Sequence, residues 1–183
     1  MTSTTTARTQ KRRVRSTVLT WACGTVAALA LLIGGVALFA PSTAEYVYGQ
    51  AKTGAQSAIG QALAPIVDAT PTIRLGGTGD RASLNDCDGS FTGMTSYGSE
   101  IPTVYAAHNN CGGDVLLPWQ LGQRVNVVDE SGTTRAYMVI DIRTVPKTWG
   151  TVQDLVGIKG AFALQTCFYG ENLMKFVGLT LAT

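Results

Sequence analysis

Histidine is almost absent from this sequence, because His108 is the only one among 183 residues. A zinc centre built on several histidines is therefore excluded. Asp86, Asp88 and Asp114 do not have the spacing of a metal-binding loop, and we interpret them as turn residues. We expect neither a metal site nor a cofactor.

A phosphate-binding motif is also lacking. The run at residues 76–80 is rich in glycine, but it has neither the lysine nor the following helix that such a loop needs. We interpret it as a turn.

An excess of positive charge exists only at the N-terminus. The first fifteen residues contain Arg8, Lys11, Arg12, Arg13 and Arg15 and no acidic residue. The rest of the chain has nine basic and twelve acidic residues, which gives a net charge of −3. A mildly acidic domain has no electrostatic footprint for nucleic acid, so we exclude that class of partner.

Residues 16–44 form an uncharged run whose apolar part, Val18–Phe39, is long enough for the ~20 residues of a transmembrane helix. A cleaved signal peptide is the alternative, because Ser42–Ala44 resembles a cleavage site. The apolar region of such a peptide is only ~7–15 residues long, so we favour a retained signal anchor. Since the basic tail at residues 1–15 precedes the anchor, the N-terminus is expected in the cytoplasm and the C-terminal domain outside the cell membrane.

Cysteine is too scarce for a disulfide framework, with four in the whole chain. Cys23 lies in the predicted anchor, whereas Cys87, Cys111 and Cys167 follow it, in a compartment where disulfides persist. An odd number of external cysteines leaves one thiol free. A free external thiol is a candidate reactive group.

The external part divides into a linker and one domain. Residues 45–70 tolerate a helix and are interpreted as a partly helical stalk, with a plain linker as the alternative. From residue 71 to residue 183, short apolar runs alternate with turn-forming residues, which predicts an all-β domain, an antiparallel barrel or sandwich. The predicted strands are 73–75, 103–107, 124–128, 136–142, 161–167 and 175–179, of which the third and fourth form a hairpin.

Two of these strands end in residues that carry chemistry. The apolar run that starts at Ala161 leads into Cys167, and the run Thr103–Ala107 leads into His108. An imidazole beside a thiol helps to keep the thiolate available and then protonates a leaving amine. The pair therefore indicates nucleophilic catalysis by a cysteine.

Four motifs occur in a characteristic order along residues 71–183. Small residues precede His108, a leucine- and glycine-containing segment at 116–127 ends in a V-x-V strand, and Tyr137–Val139 is a Y-x-V strand. The fourth motif, Ala163–Cys167, fits a T-L-x-T-C run. This ordered set resembles the sortases, the membrane-anchored cysteine transpeptidases of Gram-positive bacteria.

The resemblance implies a closed β-barrel with short helices and loops, preceded by one transmembrane helix. It implies that Cys167 is the nucleophile and His108 the general acid. The substrate would be a secreted protein with a C-terminal L-P-x-T-G-like sorting signal, cleaved between Thr and Gly through a thioester. The acyl group would then pass to an amine of a cell-wall precursor or of a protein subunit.

The family's third site residue, an arginine on the strand after the cysteine, is missing. No arginine follows Arg143, which lies where sortases carry a non-catalytic arginine. Lys175 is the only cation beyond Cys167 and is our candidate for the role, with Asn172 as an alternative donor; a solvated charge at a strand end is an equal interpretation of Lys175. The departure leaves open a second function, a membrane-tethered module of the same fold that binds sorting-signal-like peptides without catalysis.

A disulfide between Cys87 and Cys111 is our first choice of pairing. It would tie the long loop at residues 81–100 to the loop after His108. The alternative pairs Cys111 with Cys167 and would cap the nucleophile.

Overall fold

A computed structural model describes residue 38, residues 40–63 and residues 70–183 of the chain. The basic tail and the apolar part of the predicted anchor, apart from Leu38, lie outside these residues. Within the described residues, none of the helices has the length and apolar character that crossing a membrane requires. The chain divides into two compact units, residues 1–44 and residues 45–183.

A single helix, α1 (Pro41–Leu63), occupies most of the predicted stalk. Proline at its first position and a sequence rich in alanine and glutamine favour a helix. From Glu45 onward the helix belongs to the same compact unit as the strands. The stalk segment is therefore a structured part of the domain up to Leu63.

Seven strands follow the helix, and each pairs with two others, so that they close into a barrel in the order β1-β2-β3-β6-β7-β5-β4. Their bounds are β1 (Thr72–Gly79), β2 (Phe91–Met94), β3 (Val104–Ala106), β4 (Arg124–Val128), β5 (Thr134–Pro146), β6 (Phe162–Cys167) and β7 (Leu173–Leu181). The all-β domain and the six expected strands are confirmed.

The expectation of an antiparallel sheet is wrong for three of the seven strand pairs. β1 is parallel to β2 and to β4, and β3 is parallel to β6. The segments between these strands, such as residues 80–90, are long enough to return the chain to the other end of the barrel, which a parallel pair requires. Short strands separated by turn residues do not reveal this in the sequence.

The interpretation of residues 76–80 as a turn is also wrong. Strand β1 continues through all three glycines of this run and ends at Gly79. A Cβ atom at Gly76 would overlap Ser90, and one at Gly79 would overlap Ser83. Glycine in a strand often marks such a close approach. The pairing of β1 with β2 is irregular between Leu75 and Thr78, and β2 itself lies in a region interpreted as loop.

The predicted hairpin is confirmed as β4 and β5, which pair from Arg124 with Met138 to Val128 with Thr134. The Asp129 carboxylate accepts hydrogen bonds from the backbone N–H groups of Ser131 and Thr133 and closes the turn. Gly132 adopts a φ of 83°, which favours glycine.

Side chains alternate between the two faces of the strands and form two apolar clusters. The inner cluster fills the barrel and includes Leu116, Val125, Val139, Leu164, Val177 and Leu179. The outer cluster lies on the opposite face of β3, β6 and β7 and consists of Ile101, Val104, Val145, Leu155, Ile158, Ala163 and Phe176.

Candidate active site

Cys167 ends β6, and His108 follows two residues after the end of the adjacent parallel strand β3. The register of β3 and β6 pairs Ala106 with Gln165, and the N–H of Ala107 donates to the Gln165 carbonyl at 3.1 Å. β3 ends at Ala106, and the same register continued by two residues would bring His108 level with Cys167. Since adjacent strands lie ~4.8 Å apart, we expect the two residues to be neighbours.

Both residues also belong to the same face of the sheet. Cys167 lies two residues after Gln165 and four after Ala163, which is in the outer cluster. His108 lies four residues after Val104, which is in the same cluster, and its backbone is still extended, with φ −63° and ψ 145°. Strand alternation therefore assigns the thiol to the outer face, and we expect the imidazole on the same face because the backbone of His108 is still extended.

The backbone around this pair is tied together by hydrogen bonds from buried groups. The hydroxyl of Thr166, which is fully buried, donates to the Ala107 carbonyl at 3.1 Å. The carbonyl of His108 accepts hydrogen bonds from the N–H groups of Cys111 and Gly113, at 3.0 and 2.9 Å. The segments that carry the two site residues are thus held to each other and to the turn that follows His108.

Cys167 is half-buried and has a free thiol. Burial raises the pKa of this thiol, the charge of Lys147 lowers it, the charge of Glu45 in α1 raises it, and the charge of Arg81 lowers it. The charges that act on this thiol thus come from α1, from the segment after β1 and from the residue after β5.

Tyr97, between β2 and β3, lies near the same site. Its ring meets the ring of Phe176 edge to face, with 6.0 Å between the centroids. Burial raises the pKa of Tyr97, and the charge of Cys167 raises it further. Tyr97 therefore contributes an aromatic wall to the outer face beside the thiol.

Lys175 does not lie at this site. It pairs with Thr166, so its side chain is on the inner face, and the side chain of Met174 stands opposite Cys167 instead. The Lys175 ammonium donates to the carbonyls of Leu117 and Trp119 at 2.9 and 2.8 Å, and the residue is only 6% exposed. Burial lowers its pKa. The interpretation as a solvated strand-end charge does not fit these contacts either.

The other polar residues considered for the missing arginine are also engaged elsewhere. The Asn172 amide donates to the Thr148 hydroxyl. The Arg143 guanidinium donates to the carbonyls of Asp154 and Val156 and pairs with Asp141 at 3.6 Å. The structure brings neither of them together with Cys167 and His108.

A disulfide joins Cys87 and Cys111, which was the first choice from the sequence. It attaches the loop before β2 to the turn after His108, since Cys111 lies three residues beyond that histidine. Cys167 is not paired with Cys111. The nucleophile candidate is therefore uncapped.

A buried polar network beside the site had no signal in the sequence. Asp114, interpreted from the sequence as a turn residue, is 2% exposed and pairs with Lys52 of α1 at 2.6 Å. The Tyr169 hydroxyl lies 3.1 Å from the same carboxylate and 2.9 Å from the Asn109 carbonyl. The network links α1, the turn after His108 and the turn after Cys167.

The acidic residues considered for a metal site do not form a cluster in the part of the chain that the structure describes. Residues 40–63 and 70–183 contain no group of three or more His, Cys, Asp and Glu side chains arranged to hold an ion. Asp88 accepts hydrogen bonds from the N–H and hydroxyl of Ser90, as expected of a turn residue.

Comparisons with known proteins give partial structural matches. No protein-family model matches the chain, and no curated protein matches it. Sortase C1 of GBS Pilus Island 1 is 21% identical over 47% of this chain and 45% of that chain, with a TM-score of 0.37. A complex of Streptococcus agalactiae sortase C1 with MTSET is 18% identical over 60% of each chain, with a TM-score of 0.42. The matched part is less than two thirds of either solved chain.

Proposed function

We propose that this protein is a sortase-like cysteine transpeptidase. The observation that supports it most directly is the parallel pairing of β3 with β6, since β6 ends at Cys167 and His108 follows two residues after the end of β3. The sequence motifs around both residues are those that resemble the sortases.

In the proposed reaction, the Cys167 thiolate attacks the Thr–Gly carbonyl of a sorting signal. A bond forms between Sγ and the carbonyl carbon, and the C–N bond to glycine breaks. His108, in its protonated form, gives a proton to the departing amine. Backbone N–H groups near Cys167 are suited to stabilise the oxyanion.

The resulting thioester is resolved by an amine of a cell-wall precursor or of a protein subunit. The amine nitrogen bonds to the acyl carbon, the C–S bond breaks, and the amine's proton passes to the neutral His108 imidazole, which leaves the Cys167 thiolate free for the next cycle. Hydrolysis by water would make the protein a peptidase instead. Product analysis with and without added hydroxylamine distinguishes the two resolving nucleophiles.

The test uses the full-length chain and an L-P-x-T-G peptide labelled on its N-terminal side. We expect a covalent adduct with the mass of the acyl fragment on Cys167, and an amide product when an amine is added. Cys167→Ala should lose both products, because it removes the attacking sulfur. Acyl transfer that persists in Cys167→Ala would overturn the proposal.

A peptide-binding module without catalysis is the second candidate. Two observations favour it: burial raises the pKa of the Cys167 thiol, and Lys175 is turned away from it. Peptide binding without any acyl adduct, across a panel of L-P-x-T-G-like sequences, would support this function.

The predicted anchor at residues 16–44 leads us to propose that the domain lies outside the cell membrane. Protease added to intact cells should then remove the C-terminal domain and spare an N-terminal tag. A domain that stays protected until the cells are lysed would contradict this location.

A further inference from the structure

Lys147, a residue that was not singled out in the sequence, supplies positive charge near Cys167. Lys147 follows the last residue of β5 and lies next to the turn that joins β6 to β7. Its ammonium donates to the Phe168 carbonyl at 3.2 Å, and Phe168 is the residue directly after Cys167. Lys147 is thus bound to the backbone of the residue that follows Cys167.

The position of Lys147 is restrained at further points. Its backbone N–H donates to the Asn172 carbonyl at 3.1 Å. The Asn172 side chain donates in turn to the hydroxyl of Thr148, the next residue along the chain. Three contacts therefore hold the start of the β5–β6 loop against the turn after Cys167.

Lys175 cannot take this role, because it faces the barrel interior and its ammonium is bound to the carbonyls of Leu117 and Trp119. The other groups around the thiol are Arg81 after β1, Tyr97 after β2, His108 after β3 and Glu45 on α1. Among the charged ones, Lys147 has the largest effect on Cys167.

We propose that Lys147 is the cation that stabilises the Cys167 thiolate. Its ammonium, held on the Phe168 carbonyl, stabilises the thiolate by direct attraction and makes it available at lower pH. The catalytic use of this cation rests on the proposed function. Its effect on the reactivity of the Cys167 thiol does not, because that effect is measurable without any substrate.

The test measures the alkylation rate of Cys167 by iodoacetamide as a function of pH in the full-length protein. Mass spectrometry of the peptide that carries Cys167 separates it from Cys23. We expect Lys147→Met to move the midpoint upward and to lower the rate at pH 7 by about three- to tenfold, since one pKa unit is about a tenfold change in thiolate fraction. Lys147→Arg, which keeps the charge, should restore the parent profile.

Lys159→Met is the matched control, because Lys159 is an exposed lysine of the same β5–β6 loop and is not among the charges that act on Cys167. It should leave the profile unchanged, as should Lys175→Met where circular dichroism shows that it is folded. A Lys147→Met profile that coincides with that of Lys159→Met would overturn the proposal, as would a shift in Lys175→Met alone. A parent protein without acyl transfer would overturn the proposed function and leave this result standing.

Discussion

At the scale of single residues, side-chain direction decides which group can take part in chemistry. Cys167 and Lys175 are close along the sequence, yet their side chains lie on opposite faces of the sheet. Lysine can supply charge but lacks the planar fork of a guanidinium, so its value depends on where the ammonium is held. The ammonium of Lys147, which is 20 positions before the cysteine, donates to the carbonyl of Phe168, the residue that follows Cys167.

Thr166 illustrates how one hydroxyl joins the two site strands. In Thr166→Val, the Ala107 carbonyl loses its hydroxyl partner in a fully buried place, while the side-chain shape is kept. We expect the free energy of unfolding to fall by about 1–2 kcal/mol, measured by urea denaturation. Thr134→Val, at an exposed strand position, serves as the control and should change stability by less than about 0.5 kcal/mol. Equal stabilities of the two variants would contradict the role of this hydrogen bond.

At the scale of elements, α1 is attached to the barrel by close packing and by one ion pair. Gly49 is buried against Tyr169, and the rings of Tyr48 and Tyr169 meet edge to face, with 5.8 Å between the centroids. Lys52 neutralises the buried Asp114. The charge of Glu45 in α1 acts on Cys167. The helix α1 is therefore part of the surroundings of the site rather than a spacer.

Two glycines of α1 provide a matched test of this packing. A Cβ atom at Gly49 would overlap the Cβ and ring of Tyr169, whereas one at Gly54 would meet nothing within 4 Å. Gly49→Ala should therefore loosen residues 45–63, with faster amide hydrogen exchange and a lower free energy of unfolding. Gly54→Ala should be neutral or stabilising by up to about 1 kcal/mol, because alanine favours a helix. If both variants behave alike, α1 is not packed as described.

At the scale of the whole molecule, the barrel brings distant segments together. Parallel pairing of β3 with β6 places the C-terminal ends of both strands at one edge, although 60 residues separate Ala106 from Thr166 in the sequence. The Cys87–Cys111 disulfide then links the turn after the histidine to the loop before β2. The histidine side of the site is thereby connected to a second strand of the barrel.

Removal of this disulfide should lower the free energy of unfolding of the domain. It should leave Cys167 a free thiol, because Cys167 is not part of the bond. Because the bond closes a loop between residues 24 positions apart, reduction should lower the free energy of unfolding by about 3 kcal/mol. The measurement is urea denaturation with and without reductant. The Cys87→Ser/Cys111→Ser variant is the control and should be insensitive to the reductant. A parent protein that is equally stable in both conditions would show that the bond contributes nothing.

The sequence by itself determined the all-β character, six of the strands, the β4–β5 hairpin and the preferred disulfide. It also singled out Cys167 and His108, because each ends an apolar run, and this property is local. Period-two alternation and turn residues act over a few neighbouring positions, so they can be recognised without the fold.

The tertiary structure alone decided which strands are parallel, which face each side chain takes and which cation accompanies the thiol. Gly76 and Gly79 lie in a strand, with Ser90 and Ser83 packed over them, and the buried Asp114 is neutralised by Lys52 of α1. The positions of Lys147 near Cys167 and of Lys175 in the barrel interior also depend on contacts with residues far away in the sequence. Contacts between residues far apart in sequence depend on strand register, and register is set by the packing of the whole barrel.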